Sequence, residues 1–229
     1  MMDAPFLGFR PAAFAWFAGL KADNTKSYFE ASRDVFETEV KEPLNRLLGE
    51  LGAELGGTVK VFRQNRDVRF SKDKSPYKLN TYGVVQGLGG GSFGLYVSIN
   101  DTRVMAGTGL YDPAKDQLDR MRSAINDETT GSDLEDAIAT AEQAGVALEG
   151  SALKTAPRGF PKDHPRIELL RLKQILLMHT LPKAKAIDRV PYDHAMATWA
   201  ASKDVVDWLT EHVGESEIPP EVRFARGRK

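Results

Sequence analysis

Apolar positions recur at helical spacing through the first quarter of the chain. Phe14, Phe17 and Leu20 follow Pro11; Tyr28, Ser32, Phe36 and Val40 then descend at intervals of four, continued by Leu44, Leu47, Leu48, Leu51 and Leu55. Such stripes predict helices with one buried face. Proline suits a first turn, where its missing N–H would be unpaired anyway, so the first helix should start at Pro11. "ADNT" at 22–25 breaks that helix and offers Asn24 or Thr25 as the next N-cap. Pro43 should kink or break the longer stripe, because it has no N–H to give to the carbonyl four residues back.

After Gly56-Gly57 the period changes. "TVKVF" at 58–62 and "LYVSI" at 95–99 alternate, and "LNTYGVVQ" at 79–86 and "RVMAGTGLY" at 103–111 are strand-like, with "NDT" at 100–102 as a hairpin turn. Their connections are too short for helical crossovers, so the strands should be antiparallel. Helical patterns resume near 113–126, 131–144, 165–179 and 194–213, separated by Gly and Pro. The expected fold is α+β, with about four antiparallel strands in the middle of the chain flanked by N-terminal and C-terminal helices. No repeat or linker is visible, so residues 1–229 are expected to form a single compact domain. The segment 214–229, with a proline pair and few apolar residues, should be a loose tail.

The apolar run "PAAFAWFAGL" at 11–20 is too short to span a bilayer. Asp3 precedes it, and Arg10-Pro11 adjoins it, unlike a signal peptide. A core helix, a cytoplasmic location and no membrane partner are expected. The absence of cysteine excludes disulfides, thiolate metal sites and cysteine nucleophiles, and fits a reducing compartment.

Charge sharpens the picture. The chain carries −1 overall, yet residues 60–78 hold seven cations against Asp67 and Asp73, leaving +5 there and −6 on everything else. That asymmetry points to an anionic partner. If the strand from Thr58 continued as extended chain, Arg63, Asp67 and Arg69 would share one face and Arg66, Val68 and Phe70 the other. Two guanidinium groups flanking one carboxylate are held in fixed orientation, as a site for a planar or tetrahedral anion requires. Lys72, Lys74 and Lys78 follow on a loop bent by Pro76, with Phe70 and Tyr77 interleaved as surfaces on which a base could stack.

A second basic block, "LKTAPRGFPKDHPRIELLRLKQILL" at 153–177, contains Lys154, Arg158, Lys162 and Arg166 against Asp163. Asp163 or His164 could cap a helix starting at Pro165, and a helix N-terminus beside Arg158-Gly159 would cradle an anion. The sharper expectation is that Arg158 and His164 close one shared site with residues 63–78.

Other signals carry less. "GGGSFG" at 89–94 fits Gly-x-Gly-x-x-Gly, but neither a helix nor the other kinase motifs follow it, so it is expected to be a flexible hairpin loop. The four histidines are scattered, so no metal site and no cofactor are expected. Asp67 would be the first candidate base and His164 the candidate proton carrier, although flanking arginines make Asp67 less basic.

"RQNRDVRFSKDKSPYK" resembles the signature of an uncharacterised bacterial family, domain-of-unknown-function family 2461: Arg-x-x-Arg-Asp-x-Arg-Phe, then Asp or Asn with Lys, then Tyr. Arg63, Arg66, Asp67, Arg69, Phe70, Asp73, Lys74 and Tyr77 match it, and "FLGF" at 6–9 and "LKTAPRGFPKDHP" at 153–165 are also similar. Tyr28 departs from the tryptophan expected there. The resemblance implies a single compact domain and no established activity.

The leading expectation is therefore binding of an anionic, phosphate-bearing small molecule through Arg63, Arg66, Arg69, Lys72, Lys74 and Lys78, oriented by Asp67. One alternative is an enzyme acting on a phosphorylated or carboxylated small molecule, with the arginines stabilising developing charge. Another is a single-stranded nucleic-acid-binding module helped by the basic tail at Arg223, Arg226, Arg228 and Lys229, which the acidic remainder of the chain disfavours. Oligomeric state is not legible.

Overall fold

The computed structural model describes residues 5–88 and 93–219. Two compact units are present: Met1–Gly90 with Gly94–Gly107 and His179–Thr198, and Gly91–Phe93 with Thr108–Met178 and Trp199–Lys229. The fold is α+β, as the alternating patterns predict, with helices before and after a mostly central set of strands.

In the first unit, α1 (Pro11–Ala22) starts at its proline, and α2 (Lys26–Ala31) is capped by Thr25, whose side chain accepts from the Tyr28 N–H. The long stripe is not broken at Pro43. It runs through α3 (Arg33–Val35), a π-helical turn at Phe36–Lys41 and α4 (Glu42–Leu55). The wide turn lies just ahead of Pro43, where the ordinary N–H to carbonyl pairing is missing, so the helix absorbs the proline there. Four strands follow: β1 (Thr58–Val61), β2 (Asn80–Gln86), β3 (Leu95–Asn100) and β4 (Arg103–Leu110). Successive pairs are antiparallel, with Val61 opposite Gly83, Tyr82 opposite Ser98 and Tyr96 opposite Gly107. The Asn100 carboxamide accepts from the N–H groups of Thr102 and Arg103, closing the predicted hairpin.

The apolar stripe of α4 covers one face of this sheet: Leu44, Leu47, Leu48 and Leu51 are buried, as are Val85, Val97 and Ile99. Gly83 makes the approach possible, since a Cβ there would collide with the Leu48 side chain. Phe14, Trp16, Phe17, Phe29 and Phe36 complete the core beside it.

The second unit holds α5 (Lys115–Asn126), α6 (Glu128–Gln143), β5 (Ala147–Glu149) and α7 (Ile167–Arg171) around Met121, Ile125, Leu134, Leu170 and Leu209. Two strands beyond the expected four occur, β5 and β6 (Ile175–Pro182), giving six in the order β1-β2-β3-β4-β6-β5. The helix expected over 165–179 therefore ends at Arg171. "RLKQILLMHTLP" satisfies both periods, and pairing of Leu177 with Leu148 of antiparallel β5 resolves it as strand. Two further helices, α8 (Val190–Ala201) and α9 (Lys203–His212), replace the one expected over 194–213.

The start of the segment expected to be loose is tied down. Asp116 accepts from Ser216 and from the Glu217 N–H, while Arg120 donates to the carbonyls of Val213 and Glu215. The basic tail residues Arg223, Arg226, Arg228 and Lys229, and most of the glycine-rich loop, lie outside the described residues.

Candidate functional site

The signature segment is a closed excursion between β1 and β2. The strand stops at Val61, so the alternation expected through residue 70 does not occur; instead, residues 62–79 fold back on themselves. Phe62 N–H donates to the Tyr82 carbonyl, Lys78 N–H to Gln64, and Arg66 N–H to Pro76. Gln64 is buried at the neck, giving its amide to the Lys78 carbonyl and accepting from the Thr81 hydroxyl at 2.6 Å. A buried carboxamide with both ends satisfied fixes the loop mouth.

Within the loop the cations divide by role. Arg66 is half-buried and donates to Asp73 at 2.5 Å and to the Ser75 carbonyl at 3.1 Å, so it braces the turn from inside. Lys74 donates to the Val68 carbonyl. Lys78 donates to the Arg63 carbonyl and lies 4.7 Å from the Tyr82 ring centre; burial, followed by the Arg63 charge, lowers its pKa. Arg69 forks onto Asp67, with Nε and a terminal nitrogen at 3.0 and 2.7 Å from the two carboxylate oxygens.

Asp67 is thereby held at about 2, first by the Arg69 side-chain bond, then by its backbone N–H, with the Arg63 charge adding to it. Arg63 and Arg69 do bracket this carboxylate electrostatically, as the sequence suggested. A carboxylate so stabilised is a weak base and suits the orienting role. Arg63 and Lys72 are exposed, and their side chains make no hydrogen bond or ion pair with the described residues.

The two aromatics separate sharply. Tyr77 is only 7% exposed and stacks flat on Phe29, so it is a core residue rather than a stacking surface for a ligand. Phe70 is 96% exposed, with the Arg69 guanidinium 5.9 Å from its ring centre. Sequence reasoning could not choose between them.

It missed the neighbouring sheet surface altogether. Phe62 stacks on Tyr82 at 4.7 Å, Tyr96 lies 5.5 Å beyond, and the Lys60 ammonium sits 5.1 Å over Phe62. The signal was present in the register, because Tyr82 and Tyr96 sit on the same face of adjacent strands.

Arg158 and His164 belong to the second unit. His164 Nδ1 accepts from the Arg166 N–H in a local turn, and the short α7 begins only at Ile167, with no side chain capping it. Arg166 is structural: it donates to Glu135 at 2.7 Å and to the Glu128 carbonyl. Arg171 likewise fastens the preceding loop through the carbonyls of Leu153 and Lys154. Arg158 has no partner among the described residues.

Two histidines that look scattered in sequence meet within the first unit: the rings of His179 and His194 are 4.1 Å apart. Among the described residues no group of three or more His, Asp or Glu is placed to hold a metal ion, and no helix is long and apolar enough to cross a membrane.

A family model described as a conserved hypothetical protein (DUF2461) matches residues 12–208. No curated protein matches the chain.

Proposed function

Because the chain belongs to the DUF2461 family, whose description names no reaction, its function must be read from the site, and we propose that the 63–78 loop binds a phosphate-bearing ligand on an open surface. The observation that carries this reading is Phe70, an aromatic ring left 96% exposed with the Arg69 guanidinium 5.9 Å from its centre. An exposed large apolar side chain is ordinary alone, but one against a guanidinium, in a segment rich in arginine and lysine, suits a ligand with a flat body and a charged end. Arg63, Arg69 and Lys72 would take the phosphate oxygens and Phe70 the flat group. Asp67 keeps Arg69 oriented, while Arg66 and Gln64 hold the loop in shape.

A thermal-shift screen against nucleotides, sugar phosphates, inorganic phosphate and organic acids tests this, since a ligand that binds only the folded state raises Tm by mass action. A rise with phosphate-bearing compounds that disappears in Phe70→Ala supports the reading, and an equal rise in that variant refutes it. Arg66→Ala is a poor probe, because it removes a brace of the loop.

The aromatic row of Phe62, Tyr82 and Tyr96, with Lys60 and Lys78 over its rings, favours a second reading in which the ligand is single-stranded nucleic acid. The two are separated by salt. Binding across several phosphates falls steeply as salt rises, whereas a single small ligand depends on it much less.

A further inference from the structure

The second unit contains a cleft of about 610 Å³ between α5 and the loop at 157–160. One wall is a single face of α5: Lys115, Asp119, Arg122, Ser123 and Asn126 are spaced to project on one side of a helix. The other wall is Pro157, Arg158 and Phe160. The loop is a tight turn, in which the Phe160 N–H donates to the Pro157 carbonyl and Gly159 takes a φ of +94°. Glycine is needed at that third position, and the turn sets Arg158 and Phe160 on the cleft.

Three cations face one carboxylate here, and that carboxylate is engaged: Lys115 donates to Asp119 at 2.5 Å. Arg122 is half-buried and anchored by its Nε to the Leu170 carbonyl at 3.2 Å, and its terminal nitrogens make no hydrogen bond with the described residues. Arg158 stands opposite without a partner among the described residues. Ser123 and Asn126 add neutral donors. Phe160 packs partly into the core of this unit and gives the cleft an apolar side, next to Pro157.

We infer that this cleft is a separate binding site for a small phosphomonoester with a flat or apolar body, its phosphate held between Arg122 and Arg158 and its body against Phe160. The excess of two positive charges matches a dianion, and the size falls within that of small-molecule sites. Two guanidinium forks from opposite walls suit the several oxygens of a phosphate better than a carboxylate. Its lining takes no residue from 63–78, and it would stand if that reading failed.

Calorimetric titration of the full chain with phenyl phosphate, inorganic phosphate and benzoate tests it, using the wild type, Arg158→Ala, the double variant Arg63→Ala/Phe70→Ala and the two combined. Expected is saturable binding of phenyl phosphate, tighter than either other probe. It should persist in the double variant, which removes residues of the loop surface proposed above, and adding Arg158→Ala to that double variant should weaken it about tenfold or more, the weight of a charge-assisted contact. Arg158 is exposed, so the Tm of its variant should match the wild type. No saturable heat with phenyl phosphate, its loss in the double variant, or equal affinity after Arg158→Ala is added to the double variant would each overturn the inference. Benzoate binding as tightly as phenyl phosphate would overturn the assignment to a phosphomonoester.

Discussion

Tyr77 lies flat against Phe29, with ring centroids 4.4 Å apart and planes 14° from parallel. Its backbone is held at the same place, since the Asn24 side chain donates to the Tyr77 carbonyl and accepts from its N–H. The end of the signature loop is thus fastened to the helical core by a ring and a carboxamide. Tyr77→Ala is expected to cost about 3 kcal/mol of stability, as for other buried aromatic truncations, while Tyr77→Phe should cost little. Urea unfolding checks both, and ligand affinity should be the same in Tyr77→Phe as in the wild type.

Arg66 is expected to matter to the loop rather than to the ligand. Removing it frees the Ser75 carbonyl and Asp73, at about 1–2 kcal/mol for the lost bonds. Arg66→Lys should restore this only in part: both bonds leave one terminal nitrogen, whose place a lysine ammonium can take, but the second nitrogen's contact with the Ser71 hydroxyl is lost. Amide hydrogen exchange across residues 64–77 should accelerate in both variants and stay unchanged in Phe70→Ala.

The loop carboxylates should titrate low. Asp73 is held at about 2 by Ser75 first and then by Arg66, and Asp67 at about 2 by Arg69, against an ordinary 3.8. Folding lowers both values, so their contribution to loop order is complete above about pH 4 and is lost as pH falls toward 2. Carbon NMR of the two carboxyl groups should give midpoints near 2. Both are exposed, so global stability should move little with them.

The histidine pair should dominate mild acid sensitivity. Burial lowers the pKa of both His179 and His194 below 6.5. The His179 carbonyl, 3.0 Å from His194 Nε2, can only accept, so that nitrogen carries the proton. Thr198 gives its hydroxyl proton to the His194 carbonyl, which makes His179 Nδ1 the donor to Thr198. The folded state therefore favours neutral rings. Their stabilisation is full above the unfolded pKa and declines as pH falls through 6.5, by up to about 1.4 kcal/mol per pH unit for each ring. Unfolding measured from pH 7.5 to 5 should show this slope, and His194→Gln, which keeps a donor, should flatten it.

How far the sequence reached depends on how local each signal was. The first four strands, Pro11 at the start of α1 and the Thr25 cap are set by neighbours in the chain, and they were legible. Strand β6 was not, because Ile175, Leu176 and Leu177 fit a helix equally well until β5 supplies a partner. At the loop, composition located the cations but not their division. Arg66 turns inward because Asp73 and Ser75 come round to meet it, and Arg63 does not. Tyr77 and Phe70 are equivalent on paper, and only the position of Phe29 separates them. The His179–His194 contact and the Phe62–Tyr82–Tyr96 row both join residues distant in sequence, which composition cannot reveal.

The central claim is that Phe70 and the exposed cations of its loop form a ligand surface. Its most direct test is calorimetric titration with ATP of the wild type, Phe70→Ala and Arg63→Ala/Lys72→Ala. The expected result is binding in the wild type, weakened about tenfold or more in each variant, with the Tm of both variants unchanged. Equal affinity across all three proteins, or no binding by the wild type, would contradict it.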